Sequence, residues 1–478
     1  MTDYFNVMSF NNLKFTGHCV SLTTPHTRKW YLDNGKKYTD INKEIIQQVD
    51  QSLDFAQFDN WTGNSTYTFT NSADGKVDWV CVIYRNISSD FPSSPIDSVK
   101  LVNNNLQMGR YGYIGINISV DGGLRTVQGG FGAGGGGATL CAWAIADMFR
   151  FSIHEFAHYL LGDNNYHNGW GFWAMLSGYE PRSYMINSYE RYRLGWGNVT
   201  TLSNQGSNLL NVSLTDFITT GNAYRIEINA ASNQYFYVEN HQKISYWDKC
   251  SGDAYPDDKG IFIMRQDREQ STDQGADWMW MISADGRYDW SVSQYVYPDY
   301  YLQGVPVFKK LGGNHSTGYE ELQPIPFTYQ GVQKPPFELL YIEDPVTGLP
   351  VEHVARNGFG HDAFRIGYKT EFYPWSNSNN QLLNGSISNI GVKVNSSNGT
   401  TVYIDIYRDF NEYNITYNAT LAQGNWNISQ NVTVNSGVTL TVQPGATLKF
   451  AANKNLTLNG VINAIGTVSQ PITFTSTG

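Results

Sequence analysis

The chain has 478 residues and a net charge of -10, so it has no basic excess to neutralise phosphates, which argues against nucleic acid as a partner. Charged residues make up 15 % and aromatics 14 %, a mixture that suits β-rich secreted domains and not a disordered chain. No apolar run approaches the ~20 residues of a membrane span, and the length allows two or three domains with cores of their own.

Residues 1–200 mix strands with the best helical patterns. Val77 to Tyr84 reads as a buried strand and Tyr111 to Val120 as another, both rich in β-branched and aromatic residues. Asp54, Asp59, Asp74 and Asp78 gather hard oxygen ligands of the kind that hold Ca2+. The gap between Asn60 and Asp74 breaks any compact calcium loop, so a solvated acidic loop is the plainer reading. The glycines between Gly129 and Gly137 are followed by no GK[ST], which excludes a phosphate loop. They read as a flexible loop beside the next helix, placed to contact substrate backbone. From Thr139 the pattern turns helical, and Ile153, Phe156, Ala157 and Leu160 fall on one face. Gly162 stands at the position of a C-cap, and a second helix is expected from Ile186 to Leu194, ending at Gly195.

The first helix carries His154-Glu155-Phe156-Ala157-His158. Two histidines four apart project from one face, so both imidazoles can reach one metal, and the adjacent glutamate can hold a metal-bound water. Zn2+ lowers the pKa of such a water, a carboxylate base completes the nucleophile, and the same carboxyl then protonates the leaving amine. His154 and His158 are therefore the expected zinc ligands and Glu155 the expected general base. His167 is the preferred third ligand, because Asp163 to Tyr166 can turn the chain back towards the metal and neutral imidazole suits zinc. Asp163 and Glu190 stay open as alternatives.

Residues 201–410 read as β-structure with long loops, with strands at Tyr235–Glu239 and Gly260–Met264. From 411 to 478 short apolar-alternating runs (Val438, Leu440, Val442; Leu448, Phe450; Leu456, Leu458; Ile472, Phe474) are separated by Pro444-Gly445, Asn459-Gly460 and Gln470-Pro471. This is the pattern of stacked coils in a parallel β-helix, and it looks cut short. The four cysteines, Cys19, Cys81, Cys141 and Cys250, form no CxxC pair, and buried free thiols are at least as plausible as disulfides. Met1-Thr2-Asp3-Tyr4 opens without a basic region or an apolar stretch, so the chain reads as a fragment whose signal and pro-segment precede it. Asn-x-Ser/Thr sites such as Asn86-Ile87-Ser88 permit glycosylation in a eukaryotic secretory route.

Several stretches around the His-Glu core resemble the immune inhibitor A-like family of secreted zinc metallopeptidases, which is related to the metzincins. They are Asp3–Phe10, Asp54–Asn60 with Asp74–Asp78, Trp173–Gly178, Ser188–Trp196, and Tyr237–Asn240 with Gly260–Ile263. The resemblance implies that His154 and His158 bind zinc, that Glu155 is the base, and that Met175 belongs to a methionine turn beneath the metal. One departure stands out. The family places glycine three residues after the second histidine and a ligand three further on, where this chain has Leu161 and Asn164. The expectation is an α+β chain: a metzincin-like zincin domain (1–200), a β-rich accessory region (201–410) and the start of a parallel β-helix (411–478). It would be a secreted or cell-surface endopeptidase acting on protein or peptide substrates, with cell-surface or glycan contact through the C-terminal region. The competing expectation is an inactive zincin-fold adhesin or glycan-binding protein.

Overall fold

The computed structural model describes residues 1–64, 68–84, 101–102, 105–106, 112–132, 135–140, 145–161, 174–176, 186–229, 234–248, 258–266, 279–284, 288–291, 301–302, 305–306, 308–310, 319–324, 327–329, 332–334, 362–373, 375–376, 380, 388–408, 414–416, 418–421, 424–428 and 431–476. The chain is mixed α+β and divides into two compact units, one built chiefly from Met1–Gly197 and the other chiefly from Asn198 onward.

In the first unit, helices α1 (Thr2–Met8) and α2 (Tyr38–Asp50) precede a small mixed sheet. Its strands are β1 (Trp79–Ile83), β2 (Gly112–Tyr113), β3 (Phe131–Gly132) and β4 (Gly135–Leu140). Strand β4 is central: it runs parallel to β1 and antiparallel to β2 and β3. This corrects the reading of Gly135–Gly137 as a flexible loop. All six residues of β4 are buried. A Cβ on Gly137 would lie 2.5 Å from Ile114 Cγ1 and 2.8 Å from the Val80 carbonyl, and one on Gly136 would lie 3.1 Å from the Trp79 ring. Glycine is needed here for close approach, the use that overrides its poor strand propensity.

Two smaller readings also change. The stretch from Tyr111 to Val120 is not one strand, because Gly115 at φ 87° separates Gly112–Tyr113 from the strand Ile118–Val120. Thr139 belongs to β4, so the helix begins later, as α3 (Ile145–Leu161). The second helix is α4 (Ser188–Leu194), closed by Gly195 at φ 67°.

The acidic residues between α2 and β1 act within the fold. Asp59 is buried and accepts from the amides of Asp74 and Gly75 and from Arg125 Nε. Asp78 accepts from the amides of Asn60 and Trp61, while desolvation pushes its carboxyl up to about 6. The cation that meets Asp59 is the Arg125 guanidinium, 3.0 Å from Oδ2.

Among the described residues the second unit contains two larger antiparallel-rich sheets, smaller antiparallel sheets between Tyr288 and Lys334, and a solenoid. Strands β5 (Val199–Leu202), β6 (Leu209–Leu214), β7 (Ala223–Asn229), β8 (Gln234–His241), β9 (Gly260–Gln266) and β10 (Met279–Ile282) come first. They are followed by β11 (Glu371–Phe372), β12 (Gly391–Asn398) and β13 (Thr401–Tyr407). The sheet orders are β5-β7-β8-β9-β10 and β6-β13-β12-β11. Strand β9 is buried along its whole length, including Arg265 and Gln266 after the apolar run Ile261–Met264.

The expected parallel β-helix is present. Its strands are β14 (Asn414–Ile415), β15 (Ala419–Leu421), β16 (Gly424–Ile428), β17 (Val432–Val434), β18 (Thr439–Val442), β19 (Ala446–Phe450), β20 (Leu456–Leu458), β21 (Val461–Ala464) and β22 (Thr473–Ser476). They stack as three parallel three-stranded sheets, β14-β17-β20, β15-β18-β21 and β16-β19-β22. Each coil sets its apolar residues on those of the next: Trp426 on Leu448 on Phe474, and Leu421 on Val442 on Ala464. The lumen core is continuous with Tyr373, Trp375 and Tyr407, so aromatic side chains from outside the coils join its apolar interior. The Asn459-Gly460 turn needs its glycine, because a Cβ there would fall 2.2 Å from the Val438 carbonyl.

Candidate metal centre

Helix α3 owes its place to aromatic packing. Phe156 meets Phe5 of α1 at 5.1 Å between ring centroids, Phe15 at 4.7 Å and Trp79 of β1 at 5.4 Å. Tyr159 packs on Phe69 at 5.2 Å, and Phe151 closes over Ala138 and Leu140 of β4. Each such aromatic removes a large apolar surface from water. The apolar stripe read from the sequence thus faces a core, but the polar face is buried too over Ile153–Leu161: His154, Glu155 and His158 are only 3 %, 2 % and 1 % exposed.

The two imidazoles lie edge to face with centroids 4.9 Å apart, one turn from each other. His154 Nδ1 is 3.2 Å from the Met175 carbonyl oxygen. A carbonyl only accepts, so Nδ1 is the nitrogen that donates in this contact. Glu155 lies close enough to Cys81 for its carboxylate to act on the thiol, which desolvation in the first place and that charge in the second push up to about 12. Cys81 therefore stays protonated and does not compete as a thiolate. Cys19 and Cys81 are free thiols, and Cys141 and Cys250 lie outside the described residues.

Met175 is 2 % exposed and sits in a turn whose carbonyl meets His154. Glu190, weighed above as a ligand, has its carboxylate engaged by main-chain amides. Oε2 accepts from Met175 N (3.0 Å) and Asn187 N (3.3 Å), and Oε1 accepts from Leu176 N (3.2 Å). Asn187 Oδ1 in turn accepts from Glu190 N at 2.8 Å, which completes a capping box on α4. The sequence signal for that box was Asn187-x-x-Glu190. His167, Asp163 and Gly162 lie outside the described residues. Among the described residues no three His, Cys, Asp or Glu side chains converge on one point. Two buried imidazoles on adjacent turns, one of them oriented by a carbonyl, are donors of the type that fits zinc.

A third buried histidine belongs to the other unit and was not found from sequence. His241 at the end of β8 holds Asp248 Oδ1 at 2.7 Å through Nδ1 and Glu239 Oε1 at 2.7 Å through Nε2. Burial pulls this imidazole down, but the Asp248 and Glu239 carboxylates outweigh it and raise it to about 10. It is an imidazolium with both nitrogens donating, so no lone pair remains for a metal. The available signal was Glu239 and His241 at i and i+2, on one face of the strand after the apolar run Tyr235–Val238.

Comparison with protein-family models, curated proteins and solved structures gave no match. No helix among the described residues is long and apolar enough to cross a membrane.

Proposed function

We propose that the chain is a secreted or cell-surface zinc endopeptidase of metzincin-like design, akin to the immune inhibitor A-like peptidases. The observation that carries this reading is the buried His154-Glu155-Phe156-Ala157-His158 turn, with His154 Nδ1 on the Met175 carbonyl. His154 and His158 would hold the metal, with His167 as the third protein ligand. When bound, zinc supplies a Lewis acid that polarises the scissile carbonyl and acidifies the attacking water. Glu155 would be the carboxyl that accepts a proton from the attacking water and returns it to the leaving amine, base first and acid second. The dry surroundings of α3 strengthen each of these charge interactions.

The competing reading, an inactive zincin-fold adhesin, draws on one observation. The solenoid stacks polar side chains in ladders such as Asn425, Thr447 and Thr473, a surface suited to glycan contact. Incubation with denatured casein separates the two. The peptidase reading expects cleavage that a chelator abolishes and that Glu155→Gln lowers by about 10²–10⁴-fold with zinc still bound. A zinc-free, inert wild type that binds glycans would establish the adhesin.

A further inference from the structure

Glu190 is fully buried, yet its carboxylate does more than close the cap of α4. A capping box needs one carboxylate oxygen for the Asn187 amide. Two further amides, of Met175 and Leu176, come to it from a turn 15 and 14 residues earlier in the chain. The Leu176 N–H belongs to the same peptide group as the Met175 carbonyl. In a trans peptide those two groups point in opposite directions. One side of this peptide group therefore faces the Glu190 carboxylate and the other faces His154 Nδ1. The line runs from imidazole N–H to carbonyl oxygen, through the amide to its N–H, and on to a buried negative charge.

We propose that Glu190 is a positioning residue of the zinc site, acting on His154 through the Met175–Leu176 peptide group. The carboxylate fixes where the carbonyl points and polarises the amide, which makes the carbonyl a stronger acceptor. A stronger acceptor holds the Nδ1–H tautomer and leaves Nε2 more basic towards a metal. Metal-ligating histidines commonly gain orientation and basicity from a hydrogen-bonded partner; here a peptide group stands between the imidazole and the carboxylate. The inference rests on the reading of His154 as a zinc ligand, and it assigns Glu190 to the support of the site and not to the metal.

Glu190→Gln tests this, because it keeps the shape and one carbonyl acceptor but removes the charge. Zinc affinity is measured by competition with a chromophoric chelator. The tautomer of His154 is read in the metal-free protein from ¹⁵N–¹H spectra of histidine-labelled chain at mildly alkaline pH. The proposal expects zinc Kd to weaken about 10–100-fold and the Nδ1–H signature of His154 to diminish. Asn187→Ala, which removes the cap but leaves the Met175–Leu176 peptide bonded to Glu190, is expected to lower thermal stability and leave zinc Kd unchanged. A Glu190→Gln chain that melts earlier yet keeps wild-type Kd and tautomer overturns the proposal. Equal weakening of zinc in Asn187→Ala overturns it too. Should Glu190→Gln fail to fold, metal-free wild type still decides, since an Nε2–H tautomer at His154 contradicts the arrangement. A wild type that binds no zinc removes the metal-site reading itself, an outcome distinct from a zinc-binding wild type that Glu190→Gln leaves unmoved.

Discussion

His154 and His241 are both buried, and they differ in what meets their nitrogens. At His154 the recorded partner of Nδ1 is an uncharged carbonyl, which asks for one N–H and not for a cationic ring. At His241 both nitrogens face carboxylates, which fixes a cation with nothing to offer. The same side chain in a similarly dry setting meets a backbone carbonyl in one unit and works as an internal counter-ion in the other. Burial alone does not mark a functional histidine; the charge state of its partners does.

The contrast can be broken at either end. The largest effect is expected from His241→Leu, which leaves Glu239 and Asp248 buried without their cation and should cost about 3–5 kcal/mol. Zinc content should not change, whereas His158→Ala should lose the metal; a His241→Leu chain that loses zinc would erase the distinction. Next comes pH. The folded-state pKa of His241 lies above its unfolded value of 6.5, so its contribution is fully present below 6.5 and is lost as pH rises through about 10. Denaturant titrations across that window should show the second unit losing on the order of a few kcal/mol, a slope that His241→Leu abolishes. A flat profile in wild type would mean that the imidazolium is not held as described. The smallest effect concerns the support of α3. Gly137→Ala places a methyl 2.5 Å from Ile114 Cγ1 in β4 and should destabilise by about 1–3 kcal/mol. Unchanged stability there would show that β4 does not pack as tightly as its glycines imply.

What was legible in the sequence was what local pattern encodes. The 3.6-residue stripe around His154 placed α3, Gly195 closed α4, and the alternation from Val438 to Phe474 gave the solenoid. Close approach was not legible. Gly135–Gly137 have poor strand propensity, and only Trp79, Val80 and Ile114, far away in sequence, make glycine the residue that fits. The acidic stretch misled for a related reason. Asp59 and Asp78 look solvated in a row of polar residues, but they accept amides 15 to 18 residues away. Glu190 could be placed on a helix from sequence, but its bonds to Met175 and Leu176 depend on a turn folding back onto α4.

The central claim is that His154 and His158 bind zinc, and metal analysis of the purified chain after equilibrium dialysis tests it most directly. The account predicts about one zinc per chain in wild type, lost in His154→Ala and His158→Ala and retained in Glu155→Gln. A wild type that stays free of zinc under micromolar metal, or a His158→Ala chain that keeps it, would contradict the account.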